Sequence, residues 1–228
     1  MSADDQDLRY ERKFVVATPD AGLVYGLLRR HPAMFREVHS VRRVNSLYLD
    51  TPTLAAYEDN LDGNPDRAKA RVRWYGDFFR PVADGILEIK AKAGAVGGKQ
   101  RFALPPFTVD EHLGAAALLA LARSVPGVTA AARALLDGAA SASGNRYRRR
   151  YFLSADGRYR ATVDDEITFL SLGRRQGPRV RERLHGRVVL ELKYAADAEP
   201  DADRVCSWFP FRPVKHSKYA RGVEGVGP

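Results

Sequence analysis

Several short stretches of this chain alternate strictly between apolar and charged residues. Lys69, Arg71 and Arg73 alternate with apolar neighbours that end at Trp74, and the same period of two recurs in 87–90 and 190–193. Successive side chains of a strand point to opposite faces of the sheet. The pattern therefore predicts a sheet with one apolar face and one face dense in charge, mostly positive with a few carboxylates.

Turn residues and periodicity divide the rest of the chain into strands and helices. Strands are predicted at 8–16, 41–49, 68–75, 85–92, 99–104, 147–153, 159–165, 179–184 and 187–194. Helices are predicted at 19–30, 51–61, 110–124, 130–140 and 202–208. Thr51 is the predicted N-cap of the second helix, with Pro52 at its first position. Gly94, Gly97 and Gly98 are predicted to supply the turn between two of the strands.

The two strand blocks resemble each other, which bears on the fold. Leu87-Glu88-Ile89-Lys90 in the first block is echoed by Leu190-Glu191-Leu192-Lys193 in the second. We expect an α+β fold, a closed antiparallel β-barrel of about eight strands with peripheral helices, formed as a single domain over residues 1–228. The Ala/Leu-rich helical pair at 110–140 is expected to pack against the sheet, with a dimer contact as the alternative.

The charged face has two interpretations. An antiparallel sheet with one face in water shows the same alternation. The amphipathic helices, however, need an apolar sheet face to cover, which would leave the charged face inside a barrel. Buried arginines and lysines require anionic partners, so such an interior would have to be wet and hold phosphate or sulfate.

Composition narrows the class of protein. The 228 residues carry a formal charge of +9 with 45% apolar residues, which indicates a globular protein with an anionic partner. A closed barrel has no room for duplex nucleic acid. The single cysteine, Cys206, is expected to be a buried hydrophobe in a reducing compartment. With no signal segment and no apolar run of about 18 residues, we expect a cytoplasmic protein with no membrane segment of its own.

Eight motifs, in order along nearly the whole chain, resemble one known family. They are Tyr10-Glu11-Arg12-Lys13-Phe14, Val44-Asn45-Ser46-Leu47-Tyr48-Leu49-Asp50, Lys69-Ala70-Arg71-Val72-Arg73-Trp74-Tyr75-Gly76, Leu87-Glu88-Ile89-Lys90, Lys99-Gln100-Arg101-Phe102, Arg160-Ala161-Thr162-Val163-Asp164, Leu190-Glu191-Leu192-Lys193 and Lys215-His216-Ser217-Lys218-Tyr219. The chain resembles the VTC domain, the polyphosphate-polymerase branch of the triphosphate tunnel metalloenzymes.

The resemblance implies a basic tunnel that binds triphosphate or polyphosphate with Mn²⁺ or Mg²⁺. It implies catalytic, phosphate-gripping roles for Arg71, Arg73, Lys90, Lys99, Arg160, Lys215 and Lys218. Further phosphate-binding residues would be Lys13, Lys69, Arg101, Arg149, Lys193 and Ser217. The metal ligands would be Glu191 first, then Glu88 and Glu11.

Some of these assignments have alternatives. Arg149 is favoured over Arg148 and Arg150 as the tunnel arginine, with the register uncertain by one residue. Asp164 is expected to brace an arginine rather than to bind metal. Arg71 and Arg73 could be surface charges, Glu191 could simply pair with Lys193, and Ser217 could be a helix cap. Glu88 could balance Lys90 instead of supporting the metal.

The implied reaction is metal-dependent transfer of the γ-phosphate of ATP to a growing inorganic polyphosphate, which makes ATP and polyphosphate the partners. The alternatives are a triphosphatase, in which water replaces the acceptor, and a non-catalytic polyphosphate-binding module. No nucleic-acid partner is expected, and a membrane-protein partner and the oligomeric state are left open.

Overall fold

The computed structural model describes residues 9–18, 20–93, 96–173 and 175–224, which form a mixed α/β fold with a large antiparallel sheet. The strands are β1 Arg9–Ala17, β2 Arg36–Asp50, β3 Arg67–Tyr75, β4 Arg80–Val82, β5 Ile86–Ala93, β6 Val96–Ala103, β7 Phe107–Val109, β8 Ser141–Leu153, β9 Tyr159–Leu172, β10 Pro178–Arg183 and β11 Arg187–Ala195. The helices are α1 Gly22–Arg30, α2 Ala55–Leu61, α3 Ala115–Arg123, α4 Ala130–Gly138, α5 Glu199–Ser207 and α6 Lys218–Glu224, with a short 3₁₀ turn at Ala196–Ala198.

The large sheet is open rather than closed. Its strand order is β1-β11-β9-β8-β2-β3-β5-β6, with β10 paired to β9, while β4 and β7 form a separate two-stranded sheet. Within the described residues no pairing joins β1 to β6, so the predicted closed barrel is wrong. Alternation determines which residues share a face, but it does not specify whether the first and last strands meet.

The Cα positions cluster into two compact units. Unit 1 is drawn from Met1–Arg42, Tyr147–Ile167 and Leu184–His216, and unit 2 from Arg43–Arg146, Thr168–Arg183 and Ser217–Pro228. Each unit has its own apolar core. The single domain over residues 1–228 stays a prediction.

The core of unit 1 lies on the apolar face of β1, β9 and β11. Phe14, Val163 and Leu190 are fully buried there, and α1 and α5 cover them with Leu28 and Val205 among others. Cys206 belongs to this core and is 6% exposed, which confirms that it is a buried hydrophobe.

The core of unit 2 lies on the apolar face of β3 and β5. Val72, Trp74 and Leu87 have no exposed surface, and α3 and α4 pack on them through residues such as Leu118 and Leu136. The predicted packing of the helical pair against the sheet is therefore confirmed. The opposite face of β3 and β5 carries the charged residues of the alternation.

Helix α2 begins later than predicted. Residues 51–54 form a turn, in which the amide of Leu54 donates to the carbonyl of Thr51 at 3.0 Å. The hydroxyl of Thr51 accepts from the amide of Ala55 at 2.9 Å, and the carboxylate of Asp50 accepts from that of Ala56 at 2.9 Å. Pro52 therefore lies in a turn, where its restricted φ is also suitable, and not at the first helical position.

The predicted glycine turn is also displaced. Gly97 and Gly98 lie inside β6, opposite residue 92 and Ala91, because Ala93 pairs directly with Val96. Gly94, the other glycine of the predicted turn, lies outside the described residues. The C-terminal helix α6 and the short strands β4 and β7 were not predicted, because elements of three to seven residues show too little periodicity.

Candidate functional site

The charged face of unit 2 is built by three neighbouring strands. Arg71 on β3 lies opposite Glu88 on β5, which lies opposite Arg101 on β6. Lys69, Lys90 and Lys99 form the next row across the same strands. On each strand the charged residues alternate with apolar residues. The apolar side chains point to the opposite face of the sheet, where they pack in the core and fix the position of the strands.

Glu88 is the centre of this face and binds four cations. Its carboxylate lies 2.6 Å from Arg71, 3.5 Å from Arg73, 2.5 Å from Lys99 and 3.3 Å from Arg101. We call these five residues the Glu88 cluster. The side chain of Glu88 is only 4% exposed, whereas those of the four cations are 11% to 65% exposed. One buried carboxylate therefore serves four more accessible positive charges.

The imbalance of charge shifts the pKa values of the cluster. Burial raises the pKa of Glu88, but Arg71 and Arg73 outweigh it and the pKa falls to about 2. Burial lowers the pKa of Lys99 to about 8, although Glu88 opposes that change. The carboxylate therefore stays ionised over the physiological range, while the ammonium of Lys99 begins to lose its proton just above it.

The lysine row, defined as Lys69, Lys90 and Lys99, places like charges directly opposite one another. Such pairs destabilise a sheet unless an anion or another partner compensates them. Lys69 contacts the side-chain oxygen of Asn60 at 2.5 Å and lies 5.3 Å from the ring centroid of Tyr219. Lys90 is exposed. This row and the Glu88 cluster together form a strongly positive surface suited to an anion with several charges.

An aromatic group next to Arg71 was not given a role by the sequence analysis. The hydroxyl of Tyr48 accepts a hydrogen bond from Arg71 at 3.3 Å, and its ring lies 4.9 Å from that of Tyr219. The Tyr219 hydroxyl donates a short hydrogen bond to Asp50, and burial together with this bond raises the pKa of Tyr219 well above its usual range. The strand position of Tyr48, two residues after Ser46, could have indicated that both hydroxyls lie on the charged face.

The charged face of unit 1 is built differently. Glu11 and Lys13 on β1 lie opposite Lys193 and Glu191 on β11, so that each carboxylate is opposite an ammonium. Lys193 lies 2.5 Å from Glu191 and 3.4 Å from Glu11, and Lys13 is paired with Glu11. Burial lowers the pKa of Lys193, but the two carboxylates outweigh it and the pKa is raised. We call these four residues the Glu191 cluster, in which positive and negative charges are equal in number.

The triple arginine has a defined register in the structure. Arg149 forms two hydrogen bonds with Asp164, at 2.5 and 2.7 Å, and these side chains are 13% and 0% exposed. The prediction that Asp164 braces an arginine is confirmed. Arg148 pairs with Asp165 at 2.8 Å, and Arg150 with Glu37 at 3.1 Å. The phosphate-binding role of Arg149 stays a prediction.

The remaining predicted residues lie on β9 and in the C-terminal segment. Arg160 is exposed and lies opposite Lys193. The segment before α6 runs along β1, because the amide of Val214 donates to the carbonyl of Lys13 at 2.8 Å. Lys215 is exposed in this segment, and Lys218 begins α6. The hydroxyl of Ser217 accepts from the amide of Ala220 at 3.3 Å, which is the contact of a helix cap.

The carboxylates of the Glu191 cluster are of a chemical type that binds divalent metal. Carboxylate oxygens suit Mg²⁺ and Mn²⁺, and Mg²⁺ commonly takes its other ligands from phosphates and water. In the part of the chain that the structure describes, no three His, Cys, Asp or Glu side chains are grouped to hold a metal. Glu11 and Glu191 could therefore supply two ligands, whereas Glu88 is surrounded by cations and serves as their counter-ion.

Comparisons with solved structures define the class of fold. A "putative adenylate cyclase" from Vibrio parahaemolyticus matches with a TM-score of 0.52 and 11% identity, covering 95% of this chain and 97% of that one. A "putative adenylyl cyclase" from Hippeastrum, described as having a dominant triphosphatase activity, matches with a TM-score of 0.51 and 13% identity, covering 94% and 95%. At these identities the likeness shows the fold alone.

The family follows from a second comparison. The family model of the VTC domain matches residues 8–226, so this chain belongs to the VTC domain family. The recognition made from the eight motifs is confirmed, and family membership supports an enzyme of the triphosphate-tunnel type.

No curated protein matches the chain. Among the described residues, none of the helices is both long and apolar enough to cross a membrane.

Proposed function

We propose that this protein is an ATP-dependent polyphosphate polymerase. It would transfer the γ-phosphate of ATP to the terminal phosphate of an inorganic polyphosphate chain and release ADP. The observation that carries this proposal is the Glu88 cluster, in which one buried carboxylate serves four cations beside the lysine row. A surface with that surplus of positive charge, on rigid strands, is suited to a triphosphate or a longer phosphate chain.

The cations would act by positioning the phosphates and neutralising their charge. Phosphoryl transfer needs in-line alignment and charge stabilisation and little covalent help from the protein. Arg71 and Arg73 present planar guanidinium groups that can bind phosphate oxygens through two hydrogen bonds each. Glu88 holds Arg71 through its Nε, 2.6 Å away, and so limits the rotation of that guanidinium. Lys99 and Lys90 add point charges on the neighbouring strands.

The bond changes require no protein nucleophile. An oxygen of the terminal acceptor phosphate forms a bond to the γ-phosphorus, and the bond from that phosphorus to the β-phosphate bridging oxygen breaks. The attacking oxygen is already ionised at neutral pH, so no general base is needed. We expect Glu191 and Glu11 to hold Mn²⁺ or Mg²⁺, which when bound would neutralise phosphate charge. The roles of Arg160, Lys215, Lys218, Ser217, Lys13, Lys193 and Arg149 are retained as family-based proposals.

A triphosphatase is the second candidate, because the Hippeastrum protein of similar fold is described as having that activity. Water would then replace the polyphosphate acceptor. A hydrolase must activate this water, and Glu88, the carboxylate at the centre of the proposed phosphate site, is already bound to four cations. We therefore place hydrolysis second and a non-catalytic polyphosphate-binding module third.

One assay distinguishes the three candidate functions. Purified protein is incubated with γ-labelled ATP, a short polyphosphate primer and either Mn²⁺ or Mg²⁺, and the products are resolved by size. Long labelled polymer is expected, labelled phosphate without polymer would indicate the triphosphatase, and polyphosphate binding without turnover would indicate the module. Arg71→Ala should lose the polymer, whereas the matched control Arg150→Ala, whose side chain pairs with Glu37, should keep it.

A further inference from the structure

Tyr48 lies in the same row of side chains as the centre of the Glu88 cluster. On β2 it is opposite Arg71, which is followed across the sheet by Glu88 and Arg101. Directly opposite residues in an antiparallel sheet lie about 5 Å apart, which is within reach of neighbouring phosphate oxygens. The Tyr48 hydroxyl is therefore placed at one end of the positive surface.

Arg71 and Arg73 each donate a hydrogen bond to a hydroxyl on β2. Arg71 uses its Nε and Nη2 for Glu88 and its Nη1 for the Tyr48 oxygen, at 3.3 Å. Arg73 is held in a parallel way by the hydroxyl of Ser46, at 3.3 Å from its Nε. Hydroxyls from β2 thus contact both arginines that the proposed function assigns to the phosphates.

Asn145 on β8 supplies a second, independent observation. It lies beside Tyr48 and is only 1% exposed. Its amide lies close enough to the Tyr48 hydroxyl to lower the pKa of that group, but neither atom of the amide has a hydrogen-bond partner within 3.5 Å among the described residues. A buried amide whose hydrogen bonds are poorly satisfied destabilises the fold, so a protein retains one where another group satisfies it or where function requires it.

From these observations we propose that Tyr48 and Asn145 are further phosphate-contacting residues, in which the phenol hydroxyl and the amide NH₂ donate hydrogen bonds to an oxygen of the phosphate held by Arg71. The inference rests on the proposed phosphate site and extends it from charged to neutral donors. Tyr219 is a positioning residue for this pair, since its ring packs at 4.9 Å on Tyr48 and its hydroxyl is bound to Asp50.

The electrostatic surroundings give this pair a pH dependence. Burial raises the pKa of Tyr48, but Arg71 and Arg73 outweigh it and the pKa falls to about 8. Asn145 and Tyr219 also lie against Tyr48 and carry no positive charge, while the ammonium of Lys69 lies 5.3 Å from the centroid of the Tyr219 ring. Above pH 8 the Tyr48 hydroxyl loses its proton and can no longer donate, and Lys99 loses its positive charge over the same range, so phosphate binding should weaken as the pH rises through this value.

The first test measures binding of inorganic triphosphate to the full chain by calorimetry at pH 7 without metal. Tyr48→Phe and Asn145→Leu should each weaken binding roughly fivefold to tenfold, the scale of one typical hydrogen bond. Tyr57→Phe, which alters the tyrosine that packs edge-on against the ring of Tyr219 at 6.5 Å, is the control and should change the affinity less than twofold.

For Asn145→Leu the melting temperature is a second measurement, and it distinguishes a phosphate-contacting asparagine from one that only supports the fold. Removal of an unsatisfied buried amide should raise the melting temperature while it weakens triphosphate binding. A lower melting temperature with unchanged affinity would show that Asn145 only supports the fold, and would overturn its assignment.

An optical test on the unmodified protein keeps the inference testable even if Tyr48→Phe folds poorly. At pH 8.5 a bound triphosphate should reprotonate Tyr48 and lower the phenolate absorbance near 295 nm. No change in absorbance at saturating triphosphate would overturn the inference. If Arg71→Ala weakens binding but Tyr48→Phe and Asn145→Leu do not, this inference fails and the proposed phosphate site remains, whereas failure of all three variants to weaken binding removes both.

Discussion

The charged faces of the two units have similar sequences but differ in charge balance: the Glu191 cluster of unit 1 is neutral, whereas the Glu88 cluster of unit 2 has a surplus of positive charge. In unit 1 the Glu-x-Lys pairs of β1 and β11 lie opposite each other, and each carboxylate neutralises an ammonium. In unit 2 the corresponding pair on β5 lies between two strands rich in arginine and lysine, so that one carboxylate serves four cations. The Glu-x-Lys spacing is therefore not itself a phosphate-binding motif, because the neighbouring strands decide whether its charges are neutralised or left in surplus.

The largest expected effect concerns stability in unit 1. Asp164→Ala should lower the free energy of unfolding by about 3 kcal/mol, because it leaves Arg149 buried without its counter-ion. Chemical denaturation measures the change. Saturating triphosphate should recover only a small part of the loss, and full recovery would show that the buried pair of unit 1 behaves like the cation-rich face of unit 2.

The next effect concerns binding in unit 2. Arg71→Ala should weaken the binding of inorganic triphosphate roughly thirtyfold, or about 2 kcal/mol, because it removes a charge-assisted contact. Arg150→Ala, with a paired arginine of unit 1, should change the dissociation constant less than twofold. Equal effects of the two substitutions in calorimetry would contradict the distinction between the two faces.

Glu191→Gln tests the carboxylates of unit 1. The Mn²⁺ concentration needed for half-maximal activity should rise at least about tenfold, because the neutral amide is a weaker ligand. Triphosphate binding without metal should stay within about twofold, since Lys193 keeps Glu11 as a partner. An unchanged metal requirement would leave Glu191 as a counter-ion only.

The last prediction concerns the pH dependence of stability. The pKa of Glu88 falls in the folded protein to about 2, so the stability from its ionised form is present above the unfolded value of about 4.3 and is lost as the pH falls towards 2. Glu88→Gln should therefore flatten the acid limb of the stability curve between about pH 4.5 and 2. Identical acid limbs in the two proteins would show that Glu88 is not held by the four cations.

Much of the local structure could be predicted, because it depends on short-range patterns. The strands around Val72, Leu87 and Leu190 were predicted from alternation within two residues. The first five residues of β2 could not be predicted in this way, because residues 36–40 are exposed on both faces and only pairing with another strand makes them extended. The turn that delays α2 depends on Asp50 and Thr51 capping amides several residues away.

The sequence by itself determined the two faces of the strands, the positive character of the charged face and the VTC family, since each depends on residue type and spacing along the chain. Only the tertiary structure decided the open sheet, the burial of Glu88 among four cations and the placement of Tyr48 and Asn145 beside Arg71. The physical reason is that a period of two assigns a side chain to a face, whereas cross-strand register selects its neighbours from distant parts of the chain.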